Sequence, residues 1–154
     1  MGMCGIFATT NDKNSAQTIL SGLKKLEYRG YDSWGIAVKS RSKLRLQKQI
    51  GKISVSQTSL PQSSMGIGHT RWATHGGVTV ANAHPHLDCT GKLALIHNGI
   101  VDNYENLGKK IKGHQLLGQT DSEIIVHLIE RELTKTQDLL SAVKKVARMA
   151  AGFN

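Results

Sequence analysis

Apolar positions change their period several times along this chain, and each change marks an element. Residues 5–9 read as a strand. Ile19, Leu20, Leu23 and Leu26 then recur three and four apart, one face of a helix reaching about residue 27, with Asn14 or Ser15 in the N-cap position. Arg29-Gly30-Tyr31-Asp32 is a turn. Residues 34–38 and 44–49 form a strand pair joined by a charged turn at 39–43. Residues 51–60 predict a short helix ended by Pro61, and residues 65–69 another strand. A further short strand covers 93–96, and 103–112 is a polar, helical segment. Thr120 with Glu123 three residues later has the spacing of a capping box. The helix it opens carries Ile124, Ile125, Leu128, Ile129 and Leu133, and a last helix over 136–151 carries Leu139, Leu140, Val143, Val146 and Ala150. No repeat or flexible linker interrupts this order, so the pattern predicts one domain with helices covering sheet faces.

Composition narrows the class. With 154 residues, 39% hydrophobic and 20% charged, the chain can bury a core. It has no apolar run near the roughly 18–20 residues that span a bilayer, and no basic region leading into an apolar stretch as in a secretory signal. Cys4 and Cys89 are its cysteines, which gives no disulfide framework and fits a reducing, cytoplasmic setting. The net charge is +9, but the basic residues are scattered from Lys24-Lys25 to Arg148. They read as solvated faces of helices and strands rather than a nucleic-acid track.

The polar stretch 70–91 is long for a loop and rich in Gly, His, Thr and Asn around Trp72, which marks it as functional. Cys4 is the first candidate for chemistry. A cysteine whose own α-amine is free holds nucleophile and base on one residue; otherwise Cys4 is a small apolar residue of the first strand. Arg71, beside Trp72, suits bidentate capture of a carboxylate, or is a surface arginine next to a packing tryptophan. Asn98-Gly99 supplies an amide donor and an unobstructed backbone N–H, as an oxyanion hole needs, or it is a hairpin turn. Asp121 either pairs with a substrate ammonium or complements a helix N-terminus. His69, His75, His84, His86 and His97 have no cysteine or carboxylate at ligand spacing, so they read as loop-stabilising groups and no metal site is expected.

Six segments together carry a resemblance. Cys4-Gly5-Ile6, Leu26 to Ser33, His69 to Gly76, Asn82 to His86, His97-Asn98-Gly99 and Thr120 to Glu123 stand in the order and spacing of class II glutamine amidotransferases. The segments 28–33 and 71–76 resemble the branch that aminates fructose 6-phosphate rather than the phosphoribosylpyrophosphate branch, while Trp34 and Val78 depart from the usual residues. The resemblance implies an α+β, N-terminal-nucleophile hydrolase fold, a four-layer αββα sandwich of antiparallel sheets. It implies that Cys4 forms a γ-glutamyl thioester, with Asn98 and the Gly99 N–H holding the oxyanion. Arg71, aided by Thr74 and His75, would take the glutamine α-carboxylate and Asp121 the α-ammonium. Trp72 would close over the substrate and Arg29 would support the nucleophile from behind. No cofactor is implied. Residues 3–154 would be a partial amidotransferase domain that continues beyond Asn154, leaving sheet edges unpaired and apolar faces uncovered. The missing sugar-isomerase domains would bind fructose 6-phosphate and carry any homodimer contact. Met1-Gly2 reads as an extension, so the Cys4 amine is free only if the chain starts at Met3 or a short leader is processed; otherwise it is blocked as an amide.

Overall fold

A computed structural model describes residues 3–73 and 76–152. Thr74 and His75, both expected at the substrate carboxylate, and the extension Met1-Gly2 lie outside the described residues. The elements run β1 (Gly5–Thr10), α1 (Ser15–Lys25), β2 (Ser33–Ser40), β3 (Lys43–Ile50), β4 (Met65–Arg71), β5 (His86–Leu87), β6 (Ala94–Leu95), α2 (Tyr104–Gly108), α3 (Asp121–Thr136) and α4 (Leu139–Met149).

β1, β4, β2 and β3 form an antiparallel sheet in that order, and β5 and β6 form a two-stranded antiparallel sheet. Alternation along β2 sends Trp34, Ile36 and Val38 to one face, where they pack with Ala16, Ile19, Leu20 and Leu23 of α1. Trp34 thus fills this core, and Val78 is exposed. Neither Asn14 nor Ser15 caps α1 through its side chain. The Asp12 carboxylate instead ties the entry to α1, accepting from the Asn14 N–H and the Thr18 hydroxyl.

The expected helix at 51–60 is absent. The segment makes one turn, Ser56 N–H to Ile53 carbonyl at 2.9 Å, and is then held extended by side chains. Gln47 donates to the Gln57 carbonyl and accepts from Ser59 N–H, while Ser54 N–H donates to Glu27. Hydroxyl and β-branched residues in Ser54-Val55-Ser56-Gln57-Thr58 favour such local bonds over a helix. Ile53 is buried against α1 and β2 as the segment's anchor.

A second core joins Ile124, Ile125, Leu128 and Ile129 of α3 to Ala142 and Val146 of α4, with Val101, Leu107 and Ile111 from the intervening segment and Leu93 and Leu95 at its edge. Thr120 caps α3 by accepting from Glu123 N–H, and Asp138 caps α4 from Ser141 N–H. Glu123 does not return the bond; its carboxylate takes the N–H groups of Leu117 and Gly118. Buried Glu132 binds Arg131, Lys135 and Lys145, tying α4 to α3.

The layers are therefore α1, the four-stranded sheet, the two-stranded sheet, and α3 with α4. β1 and β3 are the edges of the large sheet. Between the sheets lies a cleft of about 800 Å³, lined by Ala8, Ala37 and Ile67 on one side and Leu93, Ala94 and Leu139 on the other. The register of β1 against β4 pairs Gly5 with Thr70. A Cβ on Gly5 would lie 2.6 Å from Thr70 Oγ1 and 2.8 Å from Leu26 Cβ, so only glycine fits there. With Gly5 turned toward Leu26, alternation turns Cys4 to the opposite face, the side of His69 and Arg71.

Candidate active site

The site forms where β1 begins and β4 ends. Cys4 Sγ lies 3.3 Å from Trp72 N and 3.8 Å from Trp72 O. The Cys4 carbonyl accepts from Arg29 Nε and from Asn98 Nδ2, both at 3.3 Å. Residues 25 and 94 positions away thus grip one carbonyl. Burial pushes the Cys4 thiol above its ordinary value, although the Trp72 amide and the Arg71 charge favour the thiolate. Burial thus favours the protonated thiol, which would need a base before it could act as a nucleophile.

The turn carrying Arg71 and Trp72 is built from the Tyr31-Asp32 segment. Asp32 N–H donates to the Arg71 carbonyl at 3.1 Å, and the Asp32 carboxylate accepts from Ala73 N–H at 2.9 Å. Tyr31 meets the Trp72 ring edge-on, centroids 5.1 Å apart. Arg71 is buried, and its guanidinium donates to the carbonyls of Gly77 and Gly76 at 3.2 and 3.4 Å. The charges of Cys4, Asp32 and Asp121 all bear on it.

Asn98 and Gly99 do not form a hairpin turn: β6 ends at Leu95 and the next element is α2. The chain there bends across the site, and a Cβ on Gly99 would meet His97 Nε2 at 2.7 Å. Asp121 secures the end of this bend. Its buried carboxylate accepts from Val101 N–H and Ser122 N–H, each at 2.8 Å, and Ser122 Oγ lies 3.0 Å from His97 Nδ1. Hydrogen bonds thus bring Cys4, Trp72, Arg29 and Asn98 together. Arg71 and Asp121 approach as opposite charges, and Gly99 follows Asn98.

Two histidines bond as expected, His97 to Ser122 and His86 Nε2 to Thr120 Oγ1 at 2.9 Å. His69 and His84 meet as tilted rings, centroids 4.3 Å apart and planes at 36°, with His86 edge-on to His84 at 4.6 Å. Burial holds all three neutral: His69 and His86 are pushed down to about 3, and His84 well below its ordinary value.

Sequence reasoning assigns no role to two residues that position the site. One is Asp32. The other is Asn82, whose side chain donates to the Gly77 carbonyl at 2.9 Å and accepts from Gln119 N–H at 2.7 Å, linking the Arg71 loop to the start of α3. Their polar type next to the arginine motif was the available signal.

A cysteine at the mouth of an antiparallel sheet, layered between helices and facing a second sheet, defines the N-terminal-nucleophile hydrolase fold. The chain belongs to the glutamine amidotransferase domain family, which residues 54–143 match. It is 43% identical to the glutamine–fructose-6-phosphate aminotransferase (isomerizing) of Streptomyces coelicolor and 46% identical to that of Helicobacter pylori, covering 97% of this chain and 26% of either protein. The chain thus spans about a quarter of the length of these relatives. Among solved structures, glutamine phosphoribosylpyrophosphate amidotransferase from B. subtilis, complexed with ADP and GMP, superposes with a TM-score of 0.80 at 28% identity, covering 96% of this chain and 33% of that one. No helix among the described residues is long and apolar enough to cross a membrane.

Proposed function

We propose that this chain hydrolyses glutamine through a thioester on Cys4, and that it is the ammonia-releasing part of a cytoplasmic aminotransferase whose acceptor is fructose 6-phosphate. The observation that carries the reading is the Cys4 sulfur held at the Trp72 amide, with Arg71 and Asp121 nearby as a buried cation and anion. A zwitterionic amino acid needs one of each. In the proposed reaction Cys4 Sγ attacks the glutamine side-chain carbonyl carbon and gives up its proton to the Cys4 α-amine. Asn98 Nδ2 and the Gly99 N–H hold the oxyanion. The amine returns the proton to the leaving nitrogen, ammonia departs, and water cleaves the thioester to glutamate and free thiol. Arg71 holds the α-carboxylate with Thr74 and His75, Asp121 the α-ammonium, Trp72 covers the substrate, and Arg29 fixes Cys4 through its carbonyl.

Fructose 6-phosphate as acceptor rests on the 43–46% identity to aminotransferases, against 28% to the phosphoribosylpyrophosphate enzyme. Its binding, and any dimer contact, would belong to sugar-isomerase domains outside this chain. Glutamate release is to be measured on a chain processed to begin at Cys4, verified by intact mass, beside Cys4→Ala. Turnover in the former and none in the latter is expected. Equal turnover in both overturns the thioester mechanism.

A further inference from the structure

We infer that Cys89, His114, His127 and Glu130 form a structural binding site for one zinc-like divalent ion, separate from the residues around Cys4. Three segments supply the ligands. Cys89 lies in the turn between β5 and β6, His114 follows the short 3-10 turn after α2, and His127 and Glu130 stand one helical turn apart on α3. One ligand atom from each lies within 4.8 Å of every other.

The spacings have the dimensions of a metal tetrahedron. Cys89 Sγ is 3.5 Å from Nδ1 of His114 and 3.5 Å from Nδ1 of His127. Glu130 Oε2 is 2.9 Å from His114 Nδ1 and 3.2 Å from His127 Nδ1. A tetrahedral ion with a bond of about 2.3 Å to sulfur and about 2.0–2.1 Å to nitrogen and oxygen has S···N edges of about 3.5 Å and N···O edges of about 3.3 Å. Both S···N edges and the His127–Glu130 edge fit that figure, while the His114–Glu130 edge is shorter, at 2.9 Å.

Protons alone serve the cluster poorly. If both Nδ1 atoms carry hydrogen toward Glu130, that carboxylate must also take the Cys89 thiol and the Cys89 N–H, which crowds four donors onto one group. If either Nδ1 accepts from sulfur, Glu130 loses that donor. An ion at the centre uses all four lone pairs at once. The backbone also closes on the cluster: Gln115 N–H points at Cys89 Sγ at 3.5 Å, and Cys89 N–H donates to Glu130 Oε2 at 3.2 Å. Binding replaces the S–H bond with a metal–sulfur bond and releases that proton to solvent. One thiolate and one carboxylate then balance the divalent charge. Four protein ligands leave no open position, so the ion staples the β5–β6 turn and the 112–116 segment to α3, and does not act on substrate. Thiolate, imidazole and carboxylate together select zinc over magnesium or calcium.

The test uses the untagged chain, stripped with chelator and titrated with Co²⁺ and then Zn²⁺. One equivalent of Co²⁺ is expected to bind with a thiolate-to-cobalt absorption band and tetrahedral d–d bands. Zn²⁺ should displace it and raise Tm. Cys89→Ser should abolish the thiolate band, and His114→Ala should weaken binding at least tenfold, while Cys4→Ser leaves both unchanged. Absence of stoichiometric binding by the parent chain overturns the site. So does an unchanged band in Cys89→Ser, or its loss in Cys4→Ser.

Discussion

The backbone N–H of Trp72 points at the sulfur of Cys4 across 3.3 Å, so the turn that carries the proposed substrate-binding arginine also touches the proposed nucleophile. Burial outweighs this contact and keeps the thiol above its ordinary 9.0. The rate of Cys4 alkylation by iodoacetamide, followed by peptide mass spectrometry, is therefore expected to keep rising beyond pH 9. A plateau below pH 8 would show the opposite shift.

Asn98 separates catalysis from stability. Its side chain is exposed and makes one bond to the Cys4 carbonyl, so Asn98→Ala should cost less than about 1 kcal/mol in unfolding free energy. If the amide also holds the oxyanion, kcat should fall by roughly 10²–10³. An unchanged kcat removes Asn98 from that role.

Arg71→Lys keeps the charge but loses the planar fork that reaches Gly76 and Gly77. Charge-assisted bonds contribute about 1.5–3 kcal/mol each, so losing one should raise KM for glutamine roughly 10- to 100-fold. Steady-state kinetics at saturating glutamine should show a smaller change in kcat. A lysine variant with normal KM would place the α-carboxylate elsewhere.

The buried imidazoles set an acid limit. His69 and His86 titrate near 3 in the folded chain against 6.5 when unperturbed, because burial disfavours their charged forms. Between pH 6.5 and 3 the unfolded chain binds more protons, so stability falls as pH falls, by about 1.4 kcal/mol per unit for each group, and levels off above 6.5. Urea midpoints measured from pH 7.5 to 4.5 should decline accordingly. A flat profile refutes neutral burial, and His84→Phe should leave the decline from the other two in place.

Where the fold was legible in the sequence, one local rule governed it. The 3–4 spacing of Ile19, Leu20 and Leu23 gave α1, alternation at Trp34, Ile36 and Val38 gave β2, and Thr120 with Glu123 marked the start of α3. Local rules misled at 51–60, where Ile53 and the Gln47 side chain impose an extended course. They also missed Asp12, which ties down the entry to α1 from outside the expected positions. The motifs brought Cys4, Arg71, Asn98 and Asp121 forward, but not how they meet, because the contacts span long stretches of chain. Cys89, His114, His127 and Glu130 were illegible for the same reason: their separations of 25, 13 and 3 residues follow no ligand spacing, and only the packing of β5–β6 on α3 assembles them.

The slot at Gly5 has a consequence for how the site is assembled. A slip of β1 by one residue along β4 would turn the Cys4 sulfur toward α1, away from Arg71. The same slip would drive either Cys4 or Ile6 into the gap between Thr70 and Leu26, where even a methyl group collides. The strand can dock only in the frame that presents the sulfur, so steric exclusion at one glycine proofreads the position of the proposed nucleophile before any substrate arrives.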